Sequence, residues 1–267
     1  MRAILYMLFF LFVIIRQDLL IRMQIFFHGV TAAGRDGRRP PAWLLDAITR
    51  SQLRTGRLMF YVAPRITGFR IECEPFSNGS LPHTFLLVTN HQSLADIPVL
   101  YYAFPRHPLR FVLKRELGRG IPMISLFTRV GGHALISRTG DFREGRKAME
   151  RLASLASEFG ICPVIFPEGR RSKTGRLLKF NTGAFRIVLE TTPLPVLSVA
   201  MDGGHRISKL TRIFTNMSKT RYRVKPLTLY PPPKGKREIL DLLGKIEAEI
   251  GVQLGQWRDS EKREARS

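Results

Sequence analysis

The chain has 267 residues and carries 43 Lys and Arg against 21 Asp and Glu, a formal charge of +22. With 44% hydrophobic and 24% charged residues it has a globular composition that excludes a disordered chain, and two cysteines, Cys73 and Cys162, are too few for a disulfide framework or a thiolate zinc site. So large a cationic excess calls for an anionic partner: nucleic acid, an anionic membrane, or a phosphorylated or acyl-carrier substrate.

Ala3 to Ile15 is an unbroken apolar run that resumes after Arg16, Gln17 and Asp18 and lasts to Phe27. As a helix the first run extends only about 20 Å, short of a hydrocarbon core roughly 30 Å thick. Three readings compete. A signal peptide has the basic start and apolar core, but its nearest small-residue cleavage pattern, Val30-Thr31-Ala32, comes too late. A spanning helix to Phe27 has to bury Arg16, Asp18 and Arg22. An interfacial anchor fits best, with Arg16 and Arg22 reaching headgroups while Leu19, Leu20, Phe26 and Phe27 stay in acyl chains. Residues 1–28 therefore read as a membrane-anchoring helical segment, and residues 29–41, with AAGRDGRRPP, as a linker.

A main domain follows over residues 42–255. Trp43 to Tyr61 has helical spacing, and Ile66 to Glu72 alternates like a strand. Phe85 to Thr89, Cys162 to Phe166 and Leu194 to Met201 are short apolar runs, the pattern of buried strands. Between them, Asp141 to Phe159 is amphipathic, with Phe142, Ala148, Met149, Leu152, Leu155 and Ala156 on one broad face and Gly160 as a stop, and Phe185 to Glu190 is helical. Strands alternating with helices predict a single α/β domain with a largely parallel sheet flanked by helices. Met201 to Arg237 holds ten Lys and Arg and one acidic residue. The last helix is predicted from about Arg237 to Ile250, and residues 256–267 read as a charged, flexible tail.

Two sequences sit directly after apolar strands, where α/β sheets bind ligands. In Asn90-His91-Gln92-Ser93-Leu94-Ala95-Asp96, a helix starting near Ser93 brings Asp96 back under the imidazole and makes a general-base pair. The same spacing equally describes a helix start capped by Ser93. In Phe166-Pro167-Glu168-Gly169-Arg170-Arg171-Ser172, Gly169 frees the loop and the arginines offer forks for phosphate, while their charge is expected to keep Glu168 ionised. Arg138, in Ile136-Ser137-Arg138, is a lone strand-end cation. Cys162 reads as a buried inert thiol. The remaining histidines have no metal-ligand spacing.

Taken in order, NH-x-x-x-x-D, the triplet Ile136-Ser137-Arg138, FPEG-x-RS and the LPV strand containing Pro195 resemble the glycerolipid acyltransferase family, most of all bacterial 1-acyl-glycerol-3-phosphate acyltransferases, over about Ile66 to Met201. The resemblance implies that His91 is the catalytic base and Asp96 its partner. It implies that Arg138, Glu168, Gly169, Arg171, Ser172 and Lys114 bind the acceptor, and that Ile121-Pro122 form a proline turn. It implies an O-acyltransferase that uses acyl-CoA or acyl carrier protein as co-substrate, a lysophospholipid as acceptor, and no metal or bound organic cofactor. Membrane lipids become the expected anionic partner and the cytoplasmic face of the inner membrane the expected location, with no nucleic acid partner expected. Arg170 stands where the family usually has Thr, and Asn181 where Lys is frequent. A related enzyme acting on lyso-ornithine lipid is the first rival, and a basic nucleic-acid-binding protein the distant one.

Overall fold

The computed structural model describes residues 2–27, 41–120, 124–137, 141–209, 212, 215–264 and 266. The linker expected at 29–41, apart from residue 41, the proline turn Ile121-Pro122 and Arg138 lie outside them. Seven strands form one sheet among the described residues: β1 (Arg70–Cys73), β2 (Leu86–Thr89), β3 (Leu109–Lys114), β4 (Ala134–Ile136), β5 (Cys162–Ile165), β6 (Val196–Asp202) and β7 (Arg221–Tyr230). Their order is β1-β7-β6-β2-β5-β3-β4. Every neighbouring pair is parallel except β6 and β7. The expected α/β domain with a largely parallel sheet is thus the architecture observed.

The sheet is covered on both faces, which is why its inner strands are continuous apolar runs. α5 (Phe142–Phe159), α6 (Gly183–Thr191) and α7 (Gly235–Glu264) form one core with Leu86, Val88, Ile165 and Val196. α2 (Ala42–Thr67) and α3 (Asp96–Ala103) form the other with Phe85, Leu87, Phe111 and Val164. α5 begins where Asp141 accepts a hydrogen bond from the Arg143 N–H at 2.8 Å and ends at Gly160 in the left-handed region. Its buried stripe is Met149, Leu152, Ala153, Leu155 and Ala156. Phe142, expected on that face, is 73% exposed; it occupies the first helical position, before the helix meets the sheet.

β3 and the antiparallel β7 did not stand out in the sequence. β7 lies inside the basic stretch after Met201, where cations on alternate positions mask the apolar residues between them. The expected flexible tail is corrected as well. α7 runs unbroken to Glu264 and buries Trp257. Glu261 of this extension pairs with Arg206 and Arg223, both at 3.0 Å, and Glu264 with Arg221 at 3.2 Å. Three cations of the basic stretch, Arg206, Arg221 and Arg223, therefore pair with the last turns of α7.

The apolar N-terminus is one helix, α1 (Arg2–Phe27), packed along α2. Tyr6 donates to the Met59 carbonyl, Ser51 donates to Gln17, and Ile21 packs with Leu44 and Ile48 and with Phe127 of α4 (Ile124–Val130). Asp18 is buried and pairs with Arg22 at 2.6 Å, so Arg22 is tied to its own helix. The opposite face exposes Leu8, Phe12, Leu19, Phe26 and Phe27. Over Ile4–Phe27 the helix is long and apolar enough to cross a membrane by length and composition.

β6 leaves the sheet at Gly203, whose φ is 91°. A Cβ there meets the Arg221 carbonyl oxygen at 2.1 Å, a contact that only backbone movement relieves. Gly203→Ala is expected to lower stability by about 2 kcal/mol or more, measured as a drop in the urea or thermal midpoint in detergent.

Candidate active site

β2 is the strand about which the connections reverse. From it the chain runs through α3 to β3 on one side, and β5 returns through α6 to β6 on the other. The carboxyl ends of β2, β5 and β6 therefore converge, and such a reversal leaves a crevice at the strand ends. The β2 backbone is held as it leaves the sheet. The Asn90 side chain donates to the Met201 carbonyl at 2.8 Å and accepts from the Met201 N–H at 2.9 Å, continuing the ladder by a side-chain bridge.

The next residue, His91, is fixed on every side but one. Its N–H donates to Glu168 Oε1 at 2.6 Å and its carbonyl accepts from the Ser172 N–H at 2.7 Å. Its ring stacks on Phe166, with centroids 4.2 Å apart and planes 25° from parallel. Nδ1 lies 2.7 Å from Asp96 Oδ2. A carboxylate only accepts, so Nδ1 carries a proton toward it and Nε2 is the nitrogen that faces away. The side chain remains 16% exposed.

Asp96 is completely buried, and four donors reach its carboxylate. Oδ2 accepts from His91 Nδ1 and from the Gln92 N–H at 2.7 Å, and Oδ1 from the Ser93 N–H at 3.0 Å and from the Tyr222 hydroxyl. The two sequence readings of this motif therefore hold together: one carboxylate both caps the turn and holds the imidazole. The helix starts at Asp96 rather than near Ser93, because residues 92–95 wrap around that carboxylate. The Ser93 hydroxyl accepts from the Ala95 N–H at 3.2 Å and donates to the Ile207 carbonyl at 3.4 Å. Gln92 ties the turn to the end of β6 through Asp202 at 3.0 Å and to the His205 N–H at 3.2 Å.

The loop after β5 supplies Glu168, 4% exposed. Its oxygens accept from the His91 and Leu178 N–H groups at 2.6 and 3.0 Å. These bonds, and Arg170, favour the ionised form. Burial outweighs them and, with Asp96 nearby, pushes the carboxyl up to about 7. The expectation that the arginines keep Glu168 firmly ionised is corrected: Arg170 is exposed and its charge is screened, whereas the carboxyl has lost its water. Gly169 turns the chain with φ 65°. Asn181 clasps the turn, its N–H and its Nδ2 both donating to the Pro167 carbonyl, at 2.8 and 3.1 Å. Ser172 points inward, its hydroxyl donating to the Arg176 carbonyl at 2.6 Å. Arg171 reaches the Ser208 carbonyl at 3.4 Å.

His91, Asp96, Glu168, Gly169, Arg171 and Ser172 are thus gathered at one end of the sheet. Lys114 is exposed at the end of β3, two strands from β2, and no hydrogen bond or ion pair among the described residues joins it to His91. Asn90, Gln92 and Tyr222 are the site residues the sequence did not announce. The first two flank His91 in sequence; Tyr222 had no signal, because it arrives from a strand 126 residues after Asp96. Cys162 is buried and its thiol is pushed up to about 12, in keeping with an inert role. Among the described residues no three His, Cys, Asp or Glu side chains converge as a metal site. Chemically, the arrangement offers an oriented imidazole whose outward nitrogen accepts a proton and whose cation is stabilised by a buried carboxylate.

A family model described as Acyltransferase matches residues 70–202, about half the chain and the span from β1 through β6. A 1-acyl-sn-glycerol-3-phosphate acyltransferase from Cocos nucifera is 28% identical over 151 residues, 57% of this chain and 46% of that protein. An alpha form of that enzyme from Mus musculus is 25% identical over 173 residues, 64% and 59% of the two chains. The chain thus spans about half the length of the curated relatives it matches. The crystal structure of the 1-acyl-sn-glycerophosphate acyltransferase PlsC from Thermotoga maritima superposes with a TM-score of 0.62 at 23% identity, covering 97% of this chain and 98% of that one. That similarity establishes the fold.

Glu168 gives the site a pH signature. Its folded value is raised from 4.5 to about 7, so its contribution to stability is whole below 4.5 and is lost as pH rises through 7. Relative to the non-titrating Glu168→Gln variant, the parent is expected to lose up to about 3 kcal/mol between pH 4.5 and 8. Urea unfolding of both proteins across that range checks it.

Proposed function

Because the chain belongs to the acyltransferase family, we propose that it transfers an acyl chain from acyl-CoA or acyl carrier protein to the free hydroxyl of 1-acyl-glycerol-3-phosphate, giving phosphatidic acid. The observation that carries this reading is the imidazole of His91, held through Nδ1 at 2.7 Å from the Asp96 carboxylate beside the loop of Glu168. The relatives from Cocos nucifera and Mus musculus, named for this reaction, support the choice of acceptor.

In this mechanism Nε2 of His91 removes the proton from the acceptor hydroxyl as its oxygen attacks the thioester carbonyl. Asp96 stabilises the imidazolium. The tetrahedral intermediate collapses, the C–S bond breaks, and the proton on Nε2 passes to the departing thiolate. Arg138 and Arg171 hold the acceptor phosphate and orient its hydroxyl. Glu168, Gly169 and Ser172 hold the shape of the loop that carries Arg171. The thioester is a co-substrate, and the reaction calls for no metal or bound organic cofactor.

The exposed apolar face of α1 rests in the lipid surface from which the acceptor is drawn, on the cytoplasmic side of the inner membrane. Arg206, Arg221 and Arg223 of the basic stretch are paired with Glu261, Glu264 and Glu72, which supports a lipid rather than a nucleic-acid partner.

The deciding experiment is an acyl-transfer assay with a panel of lysolipids and both donor types. Lysophosphatidate is expected to be the preferred acceptor; preference for lyso-ornithine lipid sinks that choice. His91→Ala is expected to cost about 10²–10⁴-fold in turnover in a variant that still folds, as its circular dichroism spectrum checks. Replacing Leu8 and Phe12, 60% and 65% exposed, together by Glu puts charge where lipid is expected, at a cost of a few kcal/mol. Vesicle sedimentation should find that double variant in the supernatant while the parent pellets.

A further inference from the structure

Tyr222 is the largest polar side chain aimed at the His91 and Asp96 pair that the acyl-transfer mechanism leaves without a task. It comes from β7, outside the span the family model matches, and is completely buried. Its hydroxyl donates to Asp96 Oδ1, the oxygen that does not face His91. Parallel pairing of Tyr222 with Ile71 of β1 and packing of its ring on Phe69, with centroids 6.1 Å apart, hold it in place. Gly204 lies against the same contact: a Cβ there meets the Tyr222 oxygen at 2.8 Å and Asp96 Oδ1 at 3.0 Å.

We propose that Tyr222 is a positioning residue that acts through Asp96, locking the carboxylate in the plane that meets His91 Nδ1 and setting how much of its charge the imidazole feels. Three facts carry this. The carboxylate has four acceptor directions and four donors, so loss of any one frees it to turn. The Tyr222 bond is the only one of the four that comes from outside the 91–96 turn, so it alone ties the carboxylate itself to a distant strand. A hydroxyl donor on Oδ1 also withdraws charge from the carboxylate and weakens its pull on the imidazolium proton. Burial, and then Asp96 itself, raise the Tyr222 hydroxyl well above its ordinary value, so it stays a donor throughout the working range. The other ionisable groups facing the pair are Glu168 and Arg170 from the loop after β5, Asp202 at the end of β6, His205 through Gln92, and Cys73 behind Tyr222.

The inference rests on the acyltransferase reading, and its test separates the two. Tyr222→Phe removes the hydroxyl alone. It is expected to lower kcat about tenfold with little change in the KM for acceptor, and to move the acid limb of the kcat/KM profile upward by about half a unit to one unit. In an Asp96→Asn background, where no carboxylate remains to orient, the same change should cost less than about twofold. Gly204→Ala, which presses on the bond from the other side, should move the limb in the same direction, and keeps the test open if Tyr222→Phe folds poorly. An unmoved limb, with losses that multiply in the double variant, reduces Tyr222 to a core residue. Titration of the His91 ring nitrogens by NMR in detergent, parent against Tyr222→Phe, reads the same shift without turnover. A parent inactive on every lysolipid therefore overturns the acyltransferase reading while this measurement still judges Tyr222.

Discussion

The buried carboxylate of Asp96 is the constraint around which this site is arranged. An ionised carboxylate without water is costly unless every lone pair is used. Here two backbone N–H groups, one imidazole and one phenol use them all. The turn from His91 to Asp96 must therefore close tightly, β7 must bring Tyr222 alongside, and Gly204 must stay small where the end of β6 passes the same oxygen. The antiparallel β7 beside a parallel sheet gains a reason: it delivers a donor to the end of β2 from two strands away.

A second buried acid, Glu168, braces His91 from the other side. It spends both oxygens on backbone N–H groups, and one of those belongs to His91 itself. Asp96 sets the ring and Glu168 sets the backbone that carries it, while Phe166 supplies a flat floor. The histidine is held at edge, face and main chain, so little freedom is left to the ring. Asn181, an exception to the lysine frequent in the resembled family, clasps the loop of Glu168, so at this position the chain uses an amide for structure rather than a charge for substrate.

The charge excess divides along the same lines. Arg206, Arg221 and Arg223 are used in holding the end of α7 against the sheet, and Arg22 in covering Asp18. Arg170 stays exposed and Arg171 partly so, on the loop whose Ser172 N–H meets the His91 carbonyl. The composition alone counted all of these equally.

The sequence by itself determined the alternation of apolar strands and amphipathic helices, the placement of His91 and Glu168 at strand ends, and the apolar first helix. Each follows from local periodicity or from residues within seven positions of one another, so a window along the chain contains the cause. It also contained both readings of the His91 to Asp96 turn. Only the tertiary structure decided that one carboxylate serves both. The same holds for the strand order, the rise of Glu168 to about 7 against two arginines next to it, the ordering of the last turns of α7, and the arrival of Tyr222. These depend on which surfaces exclude water and which distant segments meet there. Burial is a property of the packed sheet, and no stretch of the chain read in isolation carries it.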